Sequence, residues 1–390
     1  MSEVSSPPVS AGLLWRVFLR LGLTSFGGPA AHLGFFHDEF VKRRGWLTDA
    51  RYAEVVALCQ LLPGPASSQV GRAIGYLQRG YQGAALAWLG FTLPSALLMA
   101  LFAFGLAAWP DAGASGWVHG LKLLVVAVVA QAVWQMGRNL CPDRARQSLA
   151  LAVAAVLLAS GGLWLQLVAL AAAALVGVGC RFPGVGTDSE PLVHEQRRPW
   201  RFLVVFLGLL VLSLLPWSQG SLAWLAAELY RAGALVFGGG HVVLPWLQEG
   251  FVASGAMSAD SFLAGYGAAQ AVPGPLFTFS AFLGASVNGV DGALVALVAV
   301  FLPGTLLVFA GLPLWSLLRH HAAARSALAG VNAGVVGLLL AVLYDPVWTA
   351  AVWSPADLAA VLLLWLALAV WRQPVWLLAP LSAAVGGLLW

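Results

Sequence analysis

The sequence predicts an all-α integral membrane protein whose halves form an inverted-topology internal repeat, with broken or re-entrant helices at the membrane midplane. Three observations carry this. Hydrophobic residues make up 60% of the chain and charged residues 9%, with mean hydropathy +0.85; soluble domains run near about 45–50% apolar and about 25% charged. Landmark residues recur in one order at an offset near 210. Lysine and arginine populate loops of the first half whose equivalents in the second half lack them.

The N-terminus, MSEVSSPPVSAGLLWRVFLR, has no small-residue cleavage site after an apolar run, so no signal peptide is expected. Residues 12–78 are apolar but interrupted by Gly, Pro and polar residues. Apolar stretches of membrane-crossing length follow near 82–108, 117–137, 147–162 and 163–180. The hydrophilic segment 181–201, RFPGVGTDSEPLVHEQRRPWR, reads as a linker, and 200–217 as a lone span after it. Residues 222–288 repeat the interrupted character, and spans near 291–315, 328–345, 356–371 and 375–390 complete the chain. The expected units are a first membrane repeat (12–180), a linker with one inserting helix (181–221) and a second, inverted repeat (222–390).

The duplication is read from matched landmarks. RLGLTSFGG at 20–28 matches RAGALVFGG at 231–239, and QLLPGP at 60–65 matches QAVPGP at 270–275. Gly75, Gly80 and Gly83 match Gly284, Gly289 and Gly292, Pro94 matches Pro303, and Gly120 matches Gly330. Positive charge orients the halves. Lys42, Arg43, Arg44 and Arg51 lie in a segment whose twin, EGFVASGAMSADS, has no Lys or Arg. The first-half positives continue at Arg79, Arg138, Arg144 and Arg146; those of the second half sit at Arg319, Arg325 and Arg372. Nine full crossings result if 12–45, 50–78 and their twins are re-entrant hairpins, and thirteen if each crosses. Both counts place the N-terminus inside and the C-terminus outside, and positives on both flanks of 50–78 favour hairpins.

Pro-Gly-Pro breaks a helix, because each proline removes a donor and glycine removes the steric restraint on φ. Inside hydrocarbon such a break is tolerated only where protein or a water-filled cavity covers it. Residues 50–62 and 66–78 therefore read as half-helices meeting at Pro63, Gly64 and Pro65, and 258–272 and 276–288 as their twins at Pro273, Gly274 and Pro275. A half-helix starting at Pro65 aims free amides and the positive end of its dipole into the membrane. Ser67, Ser68 and Gln69 add donors, and Thr278 and Ser280 do so in the twin. Paired broken helices in inverted halves mark a secondary transporter's binding site, here one suited to a small oxyanion. Two roles stay open for Gln60 and Gln270: contact with substrate, or satisfaction of carbonyls freed by the breaks.

Arg20 and Arg231 each precede a Phe-Gly-Gly break (Gly27 and Gly28; Gly238 and Gly239) and are candidates to compensate anionic charge, against snorkelling to the headgroups. Lys122 and its twin position Asn332 are polar within apolar runs, so both are candidate pore-lining residues. His32, His241 and Glu54 are proton-coupling candidates beside hydrogen-bonded structural readings, with Glu228, Asp38 and Glu39 as further carboxylates. Cys59, Cys141 and Cys180 have neither metal-ligand spacing nor a disulfide pattern, and no cofactor is expected. The small net charge of +4 suggests no nucleic acid as partner. The absence of a cofactor motif argues against a membrane-embedded enzyme.

On FGGPAAHLGFFHDEFV (26–41), QLLPGP (60–65), FGGGHVVLP (237–245), QAVPGPLFTFSAFLG (270–284) and GVNAGVVGLLLAVLYDPVW (330–348), the chain resembles the long, two-domain members of the chromate ion transporter family. The resemblance covers roughly residues 12–348. It implies efflux of chromate from the bacterial cytoplasm across the inner membrane, ascribed to the proton gradient, with sulfate as the related tetrahedral dianion. The partners expected are thus chromate or sulfate, protons as coupling ion, the lipid bilayer and a second copy in a homodimer. A passive oxyanion channel and a sulfate uptake transporter of the same fold are the alternatives.

Overall fold

The computed structural model describes residues 9–26, 28–108, 116–160, 163–182, 199–236, 243–318 and 321–389, and no strand occurs among them. In the first half, α1 (Ala11–Thr24) and α2 (Gly28–His37, extended by a wide turn over Asp38–Arg43) precede α3 (Asp49–Leu61) and α4 (Ala66–Ala107). Then come α5 (Gly116–Leu140), α6 (Arg144–Ser160), α7 (Leu163–Gly179) and α8 (Trp200–Ser213). The second half repeats the order with α9 (Leu222–Leu235), α10 (Leu244–Gln248, extended over Glu249–Ala253), α11 (Ala259–Ala271) and α12 (Phe279–Leu318). It ends with α13 (Ala322–Val342), α14 (Pro355–Ala369) and α15 (Val375–Leu389). Each predicted span falls on one of these helices. The chain is a multi-pass, all-α membrane protein; among the described residues, Ala66–Ala107, Gly116–Leu140, Leu276–Trp315 and Ala322–Asp345 are long and apolar enough to cross a membrane.

The predicted boundary near 80 is a sharp reversal inside α4. Arg79 (φ −153°, ψ 28°) and Gly80 (φ 59°, ψ −149°) leave helical geometry and separate an inner arm, 66–78, from an outer arm, 81–107. Asn288 and Gly289 do the same in α12. The arms pack backbone to backbone: a Cβ on Gly75 would lie 2.4 Å from the Gly83 carbonyl oxygen, and one on Gly284 2.1 Å from that of Gly292. Only glycine permits this approach, which explains why these glycines recur in both halves.

Contacts fix the direction of the preceding segments. The Arg79 Nη1 donates to the Val9 carbonyl at 3.4 Å, and Gly22 lies against Gly90, so α1 runs inward alongside the outer arm of α4. Helix α2 then returns beside the inner arm, with His32 at Ser67 and the Trp46 carbonyl at Gln78. Helix α3 runs inward again, since Asp49 meets His37 at 2.7 Å and the Tyr52 hydroxyl donates to the Leu33 carbonyl at 2.6 Å. Each segment therefore turns back on itself, its two ends lying near the Arg79–Gly80 reversal and its middle near the Pro-Gly-Pro break, the path that the hairpin reading expects.

The second half is upside down. Its outer arm lies antiparallel to that of the first half, Tyr81 meeting Phe309 (4.9 Å between ring centroids) and Trp88 meeting Phe301 (6.0 Å). Asn288 donates to the Gly220 carbonyl at 2.8 Å, which repeats the Arg79–Val9 contact at the opposite face. The halves also exchange their last helices. Helix α5 packs against α14 and α15, while α13 packs against α6 and α7. Gly120 on α5 lies against Ser382 and Gly386, and its twin Gly330 on α13 against Ala173 and Gly177. Helix α8 lies across α9 and α12, held by the Tyr230 hydroxyl donating to the Phe206 carbonyl at 3.0 Å.

Candidate functional site

Each Pro-Gly-Pro break is bonded to the opposite half of the molecule. The Gly64 N–H donates to the Val236 carbonyl at 2.6 Å, and the Gly274 N–H donates to the Ser25 carbonyl at 2.9 Å. Ser25 and Val236 are themselves equivalent positions, at the ends of α1 and α9. Each Pro-Gly-Pro thus closes on the other half's first hairpin, and the pair of bonds is reciprocal. Buried backbone groups need partners, and here each break supplies the one the other lacks. Gly64 (φ 121°) and Gly274 (φ 97°) adopt backbone angles closed to other residues.

Chemistry concentrates beside the first break. No side chain caps the inner arm of α4, which leaves its first amides facing the break. Ser67 and Ser68 are each 3% exposed. The Ser67 hydroxyl lies 3.3 Å from His32 Nδ1, whose Nε2 lies 3.2 Å from the Ser25 carbonyl. A carbonyl only accepts, so Nε2 carries the proton, and in neutral His32 the Ser67 hydroxyl donates to Nδ1. Ser68 Oγ is buried with no hydrogen-bond partner. Gln69, fully buried, donates from Nε2 to the Pro63 carbonyl at 2.8 Å. A glutamine does satisfy a freed carbonyl, but it is Gln69, whereas Gln60 is exposed. Gln270 interacts with Tyr266 on α11.

The second break is chemically plainer. It opens with a 3₁₀ turn, Leu276–Thr278, whose Thr278 amide and hydroxyl both donate back to the Pro275 carbonyl, at 3.0 and 2.8 Å. Leu276 and Phe277 bury apolar surface where the first half has Ala66 and Ser67. Ser280 Oγ is buried without a partner. The scaffold is symmetric, but free donors are richer at the first half's break.

The charged candidates are placed unequally. Arg20 is exposed, on the face of α1 opposite Leu14, Val17, Phe18 and Leu21, and does not join the break. Arg231 forms an ion pair with Glu228 on its own helix, so its charge is already neutralised. Lys122, 3% exposed, pairs with Asp260 at the start of α11 and lies 5.2 Å from the Trp353 ring centroid. His119, one turn earlier on α5, meets Asp357 at 2.8 Å. Asn332 is half-buried on α13, Glu54 is fully buried on α3, and Gly28 starts α2 with φ 77°. Gly27, Gly238, Gly239 and His241 lie outside the described residues.

The residue that sequence reasoning did not single out is Arg72. It is 2% exposed, one turn beyond Ser68 on the inner arm of α4, and donates from Nη1 to the Phe301 carbonyl at 3.1 Å. Its guanidinium carbon sits 5.3 Å from the Trp88 ring centroid and 5.0 Å from that of Phe301. Its spacing of four from Ser68 was legible; its contact with the opposite half was not.

A family profile described as "Chromate transporter" matches residues 12–178 and 223–388, the two halves separately. The chromate transport protein of Pseudomonas aeruginosa is 27% identical over 360 residues, covering 88% of this chain and 83% of that protein. A probable chromate transport protein of Synechococcus elongatus is 31% identical over 311 residues, covering 77% and 75%. The chromate transport protein of Cupriavidus metallidurans is 29% identical over 345 residues, covering 86% and 82%. No solved structure matches the chain.

Proposed function

The chain belongs to the chromate transporter family, and from that premise we propose that it is a secondary transporter exporting chromate, or a similar tetrahedral oxyanion such as sulfate, across the bacterial inner membrane. The observation that carries the reading is the reciprocal bonding of each break to the opposite half, Gly64 to Val236 and Gly274 to Ser25, beside an uncapped helix start with buried serines. The anion sits at the first turn of the inner arm of α4, where free amides and the hydroxyl of Ser68 replace its hydration shell. The twin break at Pro273, Gly274 and Pro275 closes the site from the other half.

Hairpins entering from opposite faces suit alternating access, one pair opening toward the cytoplasm and its twin toward the periplasm. Positive loops place the N-terminus inside and the C-terminus outside. An inside-negative potential drives a dianion outward, releasing about 4.6 kcal/mol per 100 mV for two charges. Protons couple through His32. Protonation at Nδ1 obliges Ser67 to become an acceptor and redirects its hydroxyl proton, so His32 and the anion site share one group.

The test is transport in proteoliposomes loaded at one pH and diluted into another, with chromate measured inside. Accumulation beyond equilibrium under an imposed gradient supports the reading. Flux that never exceeds equilibrium means a passive channel and refutes it.

A further inference from the structure

We infer that Arg72, together with Ser68, is the fixed positive site that binds the transported dianion; the inference rests on the oxyanion reading above. An arginine buried among apolar residues is costly unless its charge is compensated. Arg72 is buried to 2% exposure, and among the described residues no carboxylate lies within ion-pair distance of it. Among the described residues its one hydrogen bond is to the Phe301 carbonyl, an acceptor that also takes the Thr305 hydroxyl at 2.8 Å. The rings of Trp88 and Phe301 hold the guanidinium from the sides and contribute cation–π attraction, but they do not neutralise it. The other arginines considered do not compete: Arg20 faces outward and Arg231 is paired with Glu228.

Position adds a second argument. Residues four apart on a helix share a face, so Ser68 and Arg72 form one stripe along the inner arm. Next to this stripe, Gln69 and Pro65 lie against Gly304 of α12. Ser68 Oγ is buried with no hydrogen-bond partner, a vacant donor one turn from an uncompensated cation. A guanidinium presents five N–H donors in a fixed fork that matches two oxygens of a tetrahedral anion. The stripe thus leads from the uncapped helix start to a charge suited to a dianion such as chromate or sulfate. Because Arg72 bonds the other half through Phe301, an arriving anion competes with a contact between the halves, which ties binding to their relative movement.

Binding of radiolabelled sulfate and chromate to the full-length protein in detergent tests this, with perchlorate as a monoanion competitor. Arg72→Gln is expected to weaken dianion binding about 100-fold, with perchlorate competing nearly as well as before, so that preference for two charges is lost. Ser68→Ala should weaken both dianions about 5-fold, and Arg20→Gln should leave binding unchanged. If Arg72→Gln does not fold, Arg72→Lys decides: charge without the fork should cost about tenfold in dianion affinity. Wild-type dianion affinity and selectivity in a folded Arg72 variant would overturn the assignment while leaving the transport reading intact. A wild-type protein that binds neither dianion would overturn both.

Discussion

Gly274→Ala should sever one of the two bonds that join the halves. The residue sits at φ 97°, outside even the left-handed region that Asn or Asp enters, so the backbone share alone is about 1–3 kcal/mol. A methyl at this position would lie 2.8 Å from Ser95 Oγ and 3.1 Å from the Phe91 carbonyl oxygen. The Ser95 hydroxyl is committed to the Thr92 carbonyl at 3.0 Å, so swinging it aside costs a buried hydrogen bond, and the Phe91 carbonyl belongs to the backbone of a packed helix. Moving residue 274 instead lengthens its bond to Ser25 and leaves a buried N–H unpaired, about 1–3 kcal/mol. The sum is about 2–6 kcal/mol of stability, together with loss of chromate flux. Thermal unfolding followed by tryptophan fluorescence reads the first quantity and proteoliposome transport the second. Adding Ser95→Ala should recover only the steric share, about 1 kcal/mol. Gly45→Asn is the control: φ is 61° with nothing within 4 Å of its Cβ position, so it should cost under about 1 kcal/mol. A Gly274→Ala protein that melts with wild type and transports normally would refute the reasoning.

Other contacts give separate expectations. Asp260→Asn strands the buried Lys122 ammonium and should cost about 3 kcal/mol, whereas Lys122→Met leaves a half-exposed carboxylate that water solvates, costing under about 1 kcal/mol. Unfolding midpoints of both variants, and of the double variant, check this asymmetry. His32→Gln should flatten the pH dependence of transport, because the ring nitrogen that changes the Ser67 hydroxyl's role is gone; a preserved pH profile would exclude His32 as the proton site. Glu39 lies in the charged turn Asp38–Arg43, outside the helices long and apolar enough to cross a membrane. Burial raises its pKa, but hydrogen bonds from Arg44 (2.6 Å) and Arg43 (3.1 Å) outweigh this and hold it below the usual glutamate range. A depressed folded value stabilises above the unfolded one and is lost as pH falls through it. Wild type should therefore lose part of its acid stability there, and Glu39→Gln should show no such loss in pH-dependent unfolding.

Much of this architecture could be read from the chain. The glycines Gly75, Gly83, Gly284 and Gly292 were legible as repeat landmarks, and the structure uses them where the inner and outer arms of each hairpin pack backbone to backbone. The repeated Gly120 and Gly330 were legible as landmarks, but not as the points where each half clasps the other's last helix. Arg20 and Arg231 shared a register that suggested a common role, and the fold separated them. Glu228, three residues before Arg231 on the same helix, is a partner that spacing does offer, whereas Arg20 has no carboxylate at that spacing.

The sequence by itself determined the elements and the duplication. Each follows from local chemistry: apolar length, and proline and glycine at the breaks. Tertiary structure decided which groups of the two halves meet. The Gly64–Val236 and Gly274–Ser25 bonds, and the contact of Arg72 with Phe301, span some 170 to 250 residues of chain. A local pattern holds no information about such partners, because it is the antiparallel packing of two inverted halves that brings them within hydrogen-bond reach.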